Sequence, residues 1–147
     1  MTGGQVDRTV IQRRLAHLLT SIEVLKEYEH LSLDELSATP KVYWAVQHGL
    51  QLCVQAVIDI ATHIVAALGG PIGEDYRSYI VALGPLGVLP EEFARRIAGM
   101  AGFRNVLVHE YIDVDLTEVH RVLTHHLQDF EEFALHVHHF LEGNAST

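Results

Sequence analysis

Four polar side chains in one short segment are suited to proton transfer and anion binding. Arg104 and Asn105 are followed by three apolar residues and then by His109, and Tyr111 comes two positions later. In a helix each residue advances by about 100°, so the four side chains lie within roughly 160° of arc. Histidine titrates near neutral pH, and arginine stays charged and can hold phosphate oxygens in a bidentate fork. The segment therefore predicts an acid–base site that binds a phosphate group.

The segment resembles the motif of the HEPN superfamily, and most closely that of its HepT family. In that family the arginine is followed by four residues, the histidine, one residue and a tyrosine, which is the order of Arg104, His109 and Tyr111 here. The resemblance extends over residues 76–105 and the helical segment 57–64, and covers most of residues 10–141. It implies an all-α fold and a metal-independent endoribonuclease that needs no cofactor.

The resemblance also implies a role for each motif residue. RNA cleavage without a metal needs a base for the 2′-hydroxyl, an acid for the leaving oxygen and a cation for the phosphorane. Arg104 would clamp the phosphate, His109 would act as acid and base, and Asn105 would donate to phosphate or orient the imidazole. A single motif histidine would have to act as both the base and the acid in one reaction. HEPN domains pair, so a homodimer with both motif copies at a shared cleft is expected.

The motif tyrosine implies a partner protein. HepT-like toxins are typically encoded with an MNT-type nucleotidyltransferase antitoxin, which adds AMP groups to this tyrosine, so Tyr111 is the expected acceptor. The implied partners are this antitoxin and an RNA substrate, either tRNA or mRNA. The resemblance leaves one alternative open: a non-catalytic HEPN domain that binds nucleotides or serves as a scaffold for a nucleotidyltransferase. Growth arrest on expression would distinguish the toxin from the scaffold.

Asp59 and His63 are one helical turn apart in an otherwise apolar stretch. They could line the cleft, where they would orient His109 or bind RNA. They could instead pair with each other, which would satisfy two polar groups near the core. The residues alone leave both interpretations open.

The net charge of −9 argues against a protein that coats nucleic acid, because nonspecific affinity comes mainly from Lys and Arg. Any contact with RNA must therefore be confined to a local basic cleft. Arg95 and Arg96 could extend such a cleft, or they could balance Glu91 and Glu92 one turn earlier.

The eleven histidines raise the alternative of a metal-dependent bundle enzyme, with His136, His138 and His139 as the densest group. A solvated helix face explains the same residues, and no metal site is expected. The single cysteine, Cys53, lies in an apolar stretch and suits a buried thiol in a reducing compartment. No signal peptide or bilayer-spanning run is recognised, so the sequence predicts a cytoplasmic protein without a membrane partner.

Apolar spacing of three and four residues predicts the elements that position these groups. Five helices are expected, over residues 7–30, 40–68, 75–83, 90–111 and 116–141, with one extra turn at a capping box that begins at Ser32. Long amphipathic helices joined by short loops predict an antiparallel bundle of four long helices plus a short one. The 147 residues suit a single domain, with residues 1–6 and 143–147 as flexible ends.

Overall fold

The computed structural model describes residues 6–70, 73, 75–109 and 115–145, with the backbone alone at residues 106, 108, 109, 144 and 145. This part of the chain contains only helices, which confirms the predicted all-α class. In chain order they are α1 (Arg8–Lys26), α2 (Leu33–Ala38), α3 (Pro40–Ala67), α4 (Tyr76–Ala82), α5 (Glu91–Ile97), α6 (Met100–His109), α7 (Leu116–His125) and α8 (Leu127–Ala145).

Local sequence signals fix most of the helix ends. The Asp7 side chain accepts a hydrogen bond from the Val10 backbone N–H and caps α1. The predicted capping box is present at α2, where Ser32 Oγ accepts from the Glu35 N–H and the Glu35 side chain accepts from the Ser32 N–H. At the end of α3, Gly69 adopts a φ of 69°, a left-handed conformation that glycine takes without strain.

Helix α3 is the centre of the bundle and packs against α1, α2, α4, α6, α7 and α8. Its buried side is a continuous apolar seam that includes Leu50, Val57 and Ile64. By length and composition alone α3 could cross a membrane, but 56% of its most apolar window is buried inside the bundle. Its apolar character is therefore explained by its central position.

A close approach between α1 and α3 depends on Gly49. A β-carbon at this position would lie 2.8 Å from Cδ2 of the buried Leu25. The absent side chain lets the α1 leucine fill the space against the α3 backbone, in a core where even one methylene is felt. The contact helps to fix α1 beside the polar side of α3.

Two predicted helices are each divided in two, so the helix count was wrong. The helix expected over residues 90–111 breaks at Ala98 and Gly99 into α5 and α6, since glycine is a poor helix former. The helix expected over residues 116–141 breaks at His126, whose ring nitrogen Nδ1 bonds the Asp129 carboxylate at 2.9 Å. Helix α8 then continues to Ala145. Residues 143–145 are therefore helical, although they were predicted to belong to a flexible end.

Candidate active site

Helix α6 holds Arg104 at the edge of its buried side. Phe103 and Leu107 are buried and anchor α6 to the core, and Arg104 is half-buried. The Arg104 Nε–H donates to Oε1 of Gln55 on α3 over 3.2 Å. Its guanidinium carbon also lies 5.3 Å from the centre of the Tyr76 ring, within the range of a cation–π contact. Both contacts hold the planar group in one orientation.

Gln55 connects Arg104 to a carboxylate one turn further along α3. The Gln55 Nε2 donates to Oδ1 of Asp59 over 2.9 Å. Arginine can only donate and an ionised carboxylate can only accept, so the Gln55 amide fits between them in a single orientation. The other carboxylate oxygen of Asp59 lies 4.0 Å from Nη1 of Arg14 on α1. A chain of polar contacts thus joins α6, α3 and α1.

Tyr76 is the first residue of α4, and its position is set by the cap of that helix. Oδ1 of Asp75 accepts from the Ser78 hydroxyl at 2.7 Å and from the Ser78 N–H at 2.9 Å. These two hydrogen bonds, the hydroxyl first, hold the pKa of the Asp75 carboxyl below its usual range. The ionised cap fixes the start of α4, and with it the ring that lies against Arg104.

The polar residues on the open side of α3 form what we call the polar strip: Gln55, Asp59, Thr62 and His63. A cleft of about 290 Å³ between α1 and α3 borders this strip, and is lined by Val10, Ile11, Arg14, Asp59, Ile60, Thr62 and His63. Asp59 and His63 therefore line one cleft between α1 and α3, while their predicted part in a cleft with His109 stays a prediction. They do not pair with each other among the described contacts, because the Asp59 carboxylate is directed to Gln55 and Arg14.

Asn105 opens into a different cleft, of about 270 Å³, between α4 and α6. The residues around it are Asp75, Tyr76, Arg77, Ala98, Gly99, Ala101, Gly102 and Asn105. The ring of Tyr76 contributes to this second cleft and also contacts Arg104. Arg104 is thus linked to this cleft through Tyr76, and to the cleft beside the polar strip through Gln55 and Asp59.

The two remaining motif residues are His109 and Tyr111, of which only the His109 backbone is among the described part of the chain. His109 is the last residue of α6, so Arg104 and His109 share one helix as predicted, while its side chain lies outside the description. Tyr111 lies outside the described residues.

Sequence reasoning did not identify Gln55 or Arg14 as site residues. Gln55 precedes Asp59 by one turn in a helix whose other nearby residues are apolar, and this polar repeat could have drawn attention to it. Arg14 offered no such signal, because an exposed arginine on an amphipathic helix is ordinary.

Other candidate groups have structural partners. Arg96 lies 3.5 Å from both Asp129 and Glu132 of α8, so it pairs with neither Glu91 nor Glu92 in the described contacts. In the part of the chain that the structure describes, no three His, Cys, Asp or Glu side chains gather as a metal site.

Cys53 is fully buried in the core, as predicted, and burial raises the pKa of its thiol to about 12. A thiol that keeps its proton at neutral pH is a poor nucleophile. Its role is therefore to pack in the core.

Comparison with known proteins places the chain in a family. The family described as Ribonuclease HepT-like matches residues 18–137, and the chain belongs to this family. A tRNA nuclease HepT from Aphanizomenon flos-aquae is 31% identical over 138 residues, which cover 92% of each protein. An mRNA nuclease HepT from Shewanella oneidensis is 36% identical over 84 residues, or 57% of this chain and 63% of that protein.

A solved structure of a tri-AMPylated Shewanella oneidensis HEPN toxin in complex with an MNT antitoxin has the same fold. It superposes with a TM-score of 0.78 at 26% identity, over 89% of this chain and 98% of that one. The HEPN resemblance inferred from the motif is thereby confirmed.

Proposed function

We propose that this protein is the toxin of a HEPN/MNT toxin–antitoxin pair and acts as a metal-independent endoribonuclease. One observation supports the proposal. Arg104 lies on the helix with the family motif, and two contacts orient it: its Nε–H donates to Gln55, and its guanidinium lies over the ring of Tyr76. Among the described residues, its Nη1 and Nη2 atoms donate to no protein group. Within the described part of the chain, these two nitrogens are therefore available for a bidentate contact with a phosphate.

The reaction follows from the roles of the motif residues. One imidazole takes the proton of the RNA 2′-hydroxyl, whose oxygen attacks the adjacent phosphorus. The bond from phosphorus to the 5′-oxygen breaks, and a protonated imidazole gives its proton to that oxygen. The products are a 2′,3′-cyclic phosphate and a 5′-hydroxyl. Arg104 stabilises the charge that develops on the phosphorane, and Asn105 supports it from the neighbouring cleft.

A homodimer would supply the second imidazole. The open side of α3 that carries the polar strip also exposes two large apolar side chains, Trp44 at 64% and Leu52 at 46%. Positions 44, 52, 55 and 59 fall within about 80° of arc on α3, so Trp44 and Leu52 lie on the same side of the helix as Gln55 and Asp59, nearer its N-terminal end. A second copy that packs on the part of this face around Trp44 and Leu52 would bury both side chains and bring its own His109 to the shared cleft.

Control of the activity is assigned to Tyr111. A similar toxin is tri-AMPylated in its complex with an MNT antitoxin, and we extend this modification to Tyr111 here. Each AMP group adds negative charge and bulk two positions from His109, which opposes RNA phosphate. The RNA substrate is a tRNA or an mRNA, as for the two HepT relatives. With such a substrate the protein would act in the cytoplasm.

Expression in a bacterial host tests the proposal. The wild-type protein alone is expected to arrest growth, and His109→Ala and Arg104→Ala to permit it at equal protein levels. Arg95→Ala is the matched control, since Arg95 is exposed on α5 and outside both clefts. Normal growth with the wild-type protein would favour the non-catalytic scaffold and contradict the toxin.

A further inference from the structure

A second guanidinium borders the polar strip, from α1, whereas Arg104 contacts the strip from α6. Nη1 of Arg14 on α1 lies 4.0 Å from Oδ2 of Asp59, and the Arg14 side chain is 52% exposed. We propose that the cleft between α1 and α3 binds a phosphodiester of the same RNA strand, next to the scissile one, with Arg14 as the phosphate-binding group. This inference rests on the proposed ribonuclease function and extends its substrate site.

The contact with Asp59 does not occupy Arg14. An exposed ion pair at the limit of contact distance contributes little to stability. Guanidinium has five N–H donors, and only Nη1 faces the Asp59 carboxylate at this range. The remaining donors are available to a ligand in the cleft of about 290 Å³ that Arg14 lines. Asp59 therefore positions the guanidinium without saturating it.

The negative charge of Asp59 is compensated on both sides. Oδ1 accepts from the Gln55 amide at 2.9 Å, and Oδ2 faces Arg14. A phosphate that approaches Arg14 from the open side of the cleft thus meets a guanidinium backed by a carboxylate. The same arrangement of acceptor behind donor holds Arg104, with Gln55 Oε1 behind its Nε–H. Two cations from two helices thus each lie beside an acceptor on α3, Arg104 in a hydrogen bond of 3.2 Å and Arg14 at 4.0 Å.

The geometry of α3 sets the order of these groups along the cleft. Gln55, Asp59 and His63 follow each other at intervals of four residues, so each step is about 6 Å along the helix axis. Arg104 contacts the first position, Arg14 the second, and His63 extends the line at the third. A single RNA strand that runs along the polar strip would meet Arg104 and Arg14 with successive parts of its backbone.

A phosphate is the ligand that this pattern favours. A chain with a net charge of −9 needs focused cations to bind RNA at all. Backbone contacts by arginine position a strand without reading its sequence. Arg14 is therefore expected to contribute to affinity for every RNA sequence alike.

Binding of an uncleavable 2′-O-methyl RNA oligonucleotide, followed by fluorescence anisotropy over a range of salt concentrations, tests the inference. Arg14→Gln is expected to raise Kd about tenfold for unrelated sequences, and to lower the slope of log Kd against log salt by about 0.7, the value for one phosphate contact on a single strand. Arg14→Lys keeps the charge and is expected to keep most of the slope. The control is Arg13→Gln, an exposed neighbour outside the cleft, which should leave both values unchanged.

Equal effects of the Arg13 and Arg14 variants, or an unchanged slope in Arg14→Gln, would overturn the inference. Thermal unfolding of each variant confirms that the fold is intact, as expected for substitution of an exposed side chain. The proposed function is tested apart from this, by cleavage of unmodified RNA with wild-type protein and Arg104→Ala. If that cleavage depends on Arg104 while Arg14→Gln binds RNA normally, only the second phosphate site fails. If wild-type protein neither cleaves nor binds RNA, both proposals fail.

Discussion

Arg104 and Gln55 lie 49 positions apart in the sequence and are joined by a hydrogen bond of 3.2 Å from the guanidinium Nε to the amide oxygen. The bond links α6, which carries the family motif, to the central helix α3. Gln55 in turn is fixed by Asp59, so the orientation of Arg104 depends on a residue two contacts away.

Gln55→Ala is expected to reduce kcat for RNA cleavage about five- to tenfold, because the hydrogen bond to a charged group that orients Arg104 is lost. The double variant Gln55→Ala with Arg104→Ala should cleave bound RNA no more slowly than Arg104→Ala alone, since Gln55 contributes to the reaction through Arg104. Single-turnover rates at saturating protein measure the effect. Additive losses of rate in the double variant would show that Gln55 acts independently of Arg104.

Two substitutions of Tyr76 distinguish the contribution of its ring from that of its hydroxyl. Tyr76→Phe keeps the face on which the Arg104 guanidinium lies, and should leave kcat/KM nearly unchanged. Tyr76→Leu removes the ring and is expected to lower kcat/KM about two- to fivefold, the size of a cation–π contact at an exposed site. If both variants lose activity equally, the hydroxyl and not the ring face supports Arg104.

The sequence was sufficient for the helical class, the capping box at Ser32 and the presence of Arg104 and His109 on one helix. Each of these follows from residue spacing within a short segment. The partner of Arg104 could not be predicted in this way, because periodicity indicates which side of a helix is apolar but not which helices meet. The breaks at Gly99 and His126 were missed for a related reason, since the apolar spacing continues across both of them.

The exposed apolar side chains of α3 give a prediction about assembly. Trp44→Glu combined with Leu52→Glu is expected to convert a dimer into monomers and to abolish cleavage, because charges would then lie in the proposed subunit contact. Leu135→Glu is the matched control, as Leu135 is 53% exposed but lies in a separate groove between α1 and α8. Sedimentation velocity gives the masses. A double variant that remains dimeric would place the subunit contact elsewhere.

The buried thiol of Cys53 is expected to make the free energy of unfolding depend on pH in the alkaline range. Burial raises the pKa of its thiol from 9.0 to about 12 in the folded protein. Between these values the unfolded chain releases the proton and the folded protein retains it, so the free energy of unfolding falls as the pH rises. At about pH 10 the loss is roughly 1.4 kcal/mol. Urea unfolding should show the stability advantage of wild type over Cys53→Ala shrinking by this amount between about pH 8 and 10. A constant difference would indicate a thiol that titrates normally.

Arg104 and His109 are proposed to cleave RNA together at a shared cleft. This is tested by the rate at which purified protein cuts total cellular tRNA and mRNA in the presence of a metal chelator, with the ends of the products identified. Wild type and Arg95→Ala are expected to cut at the same rate and to leave 2′,3′-cyclic phosphate and 5′-hydroxyl ends. Arg104→Ala and His109→Ala are expected to cut at least a hundredfold more slowly, a typical loss for a general acid–base group. Undiminished cleavage by either motif variant, with its fold and assembly intact, would contradict the account.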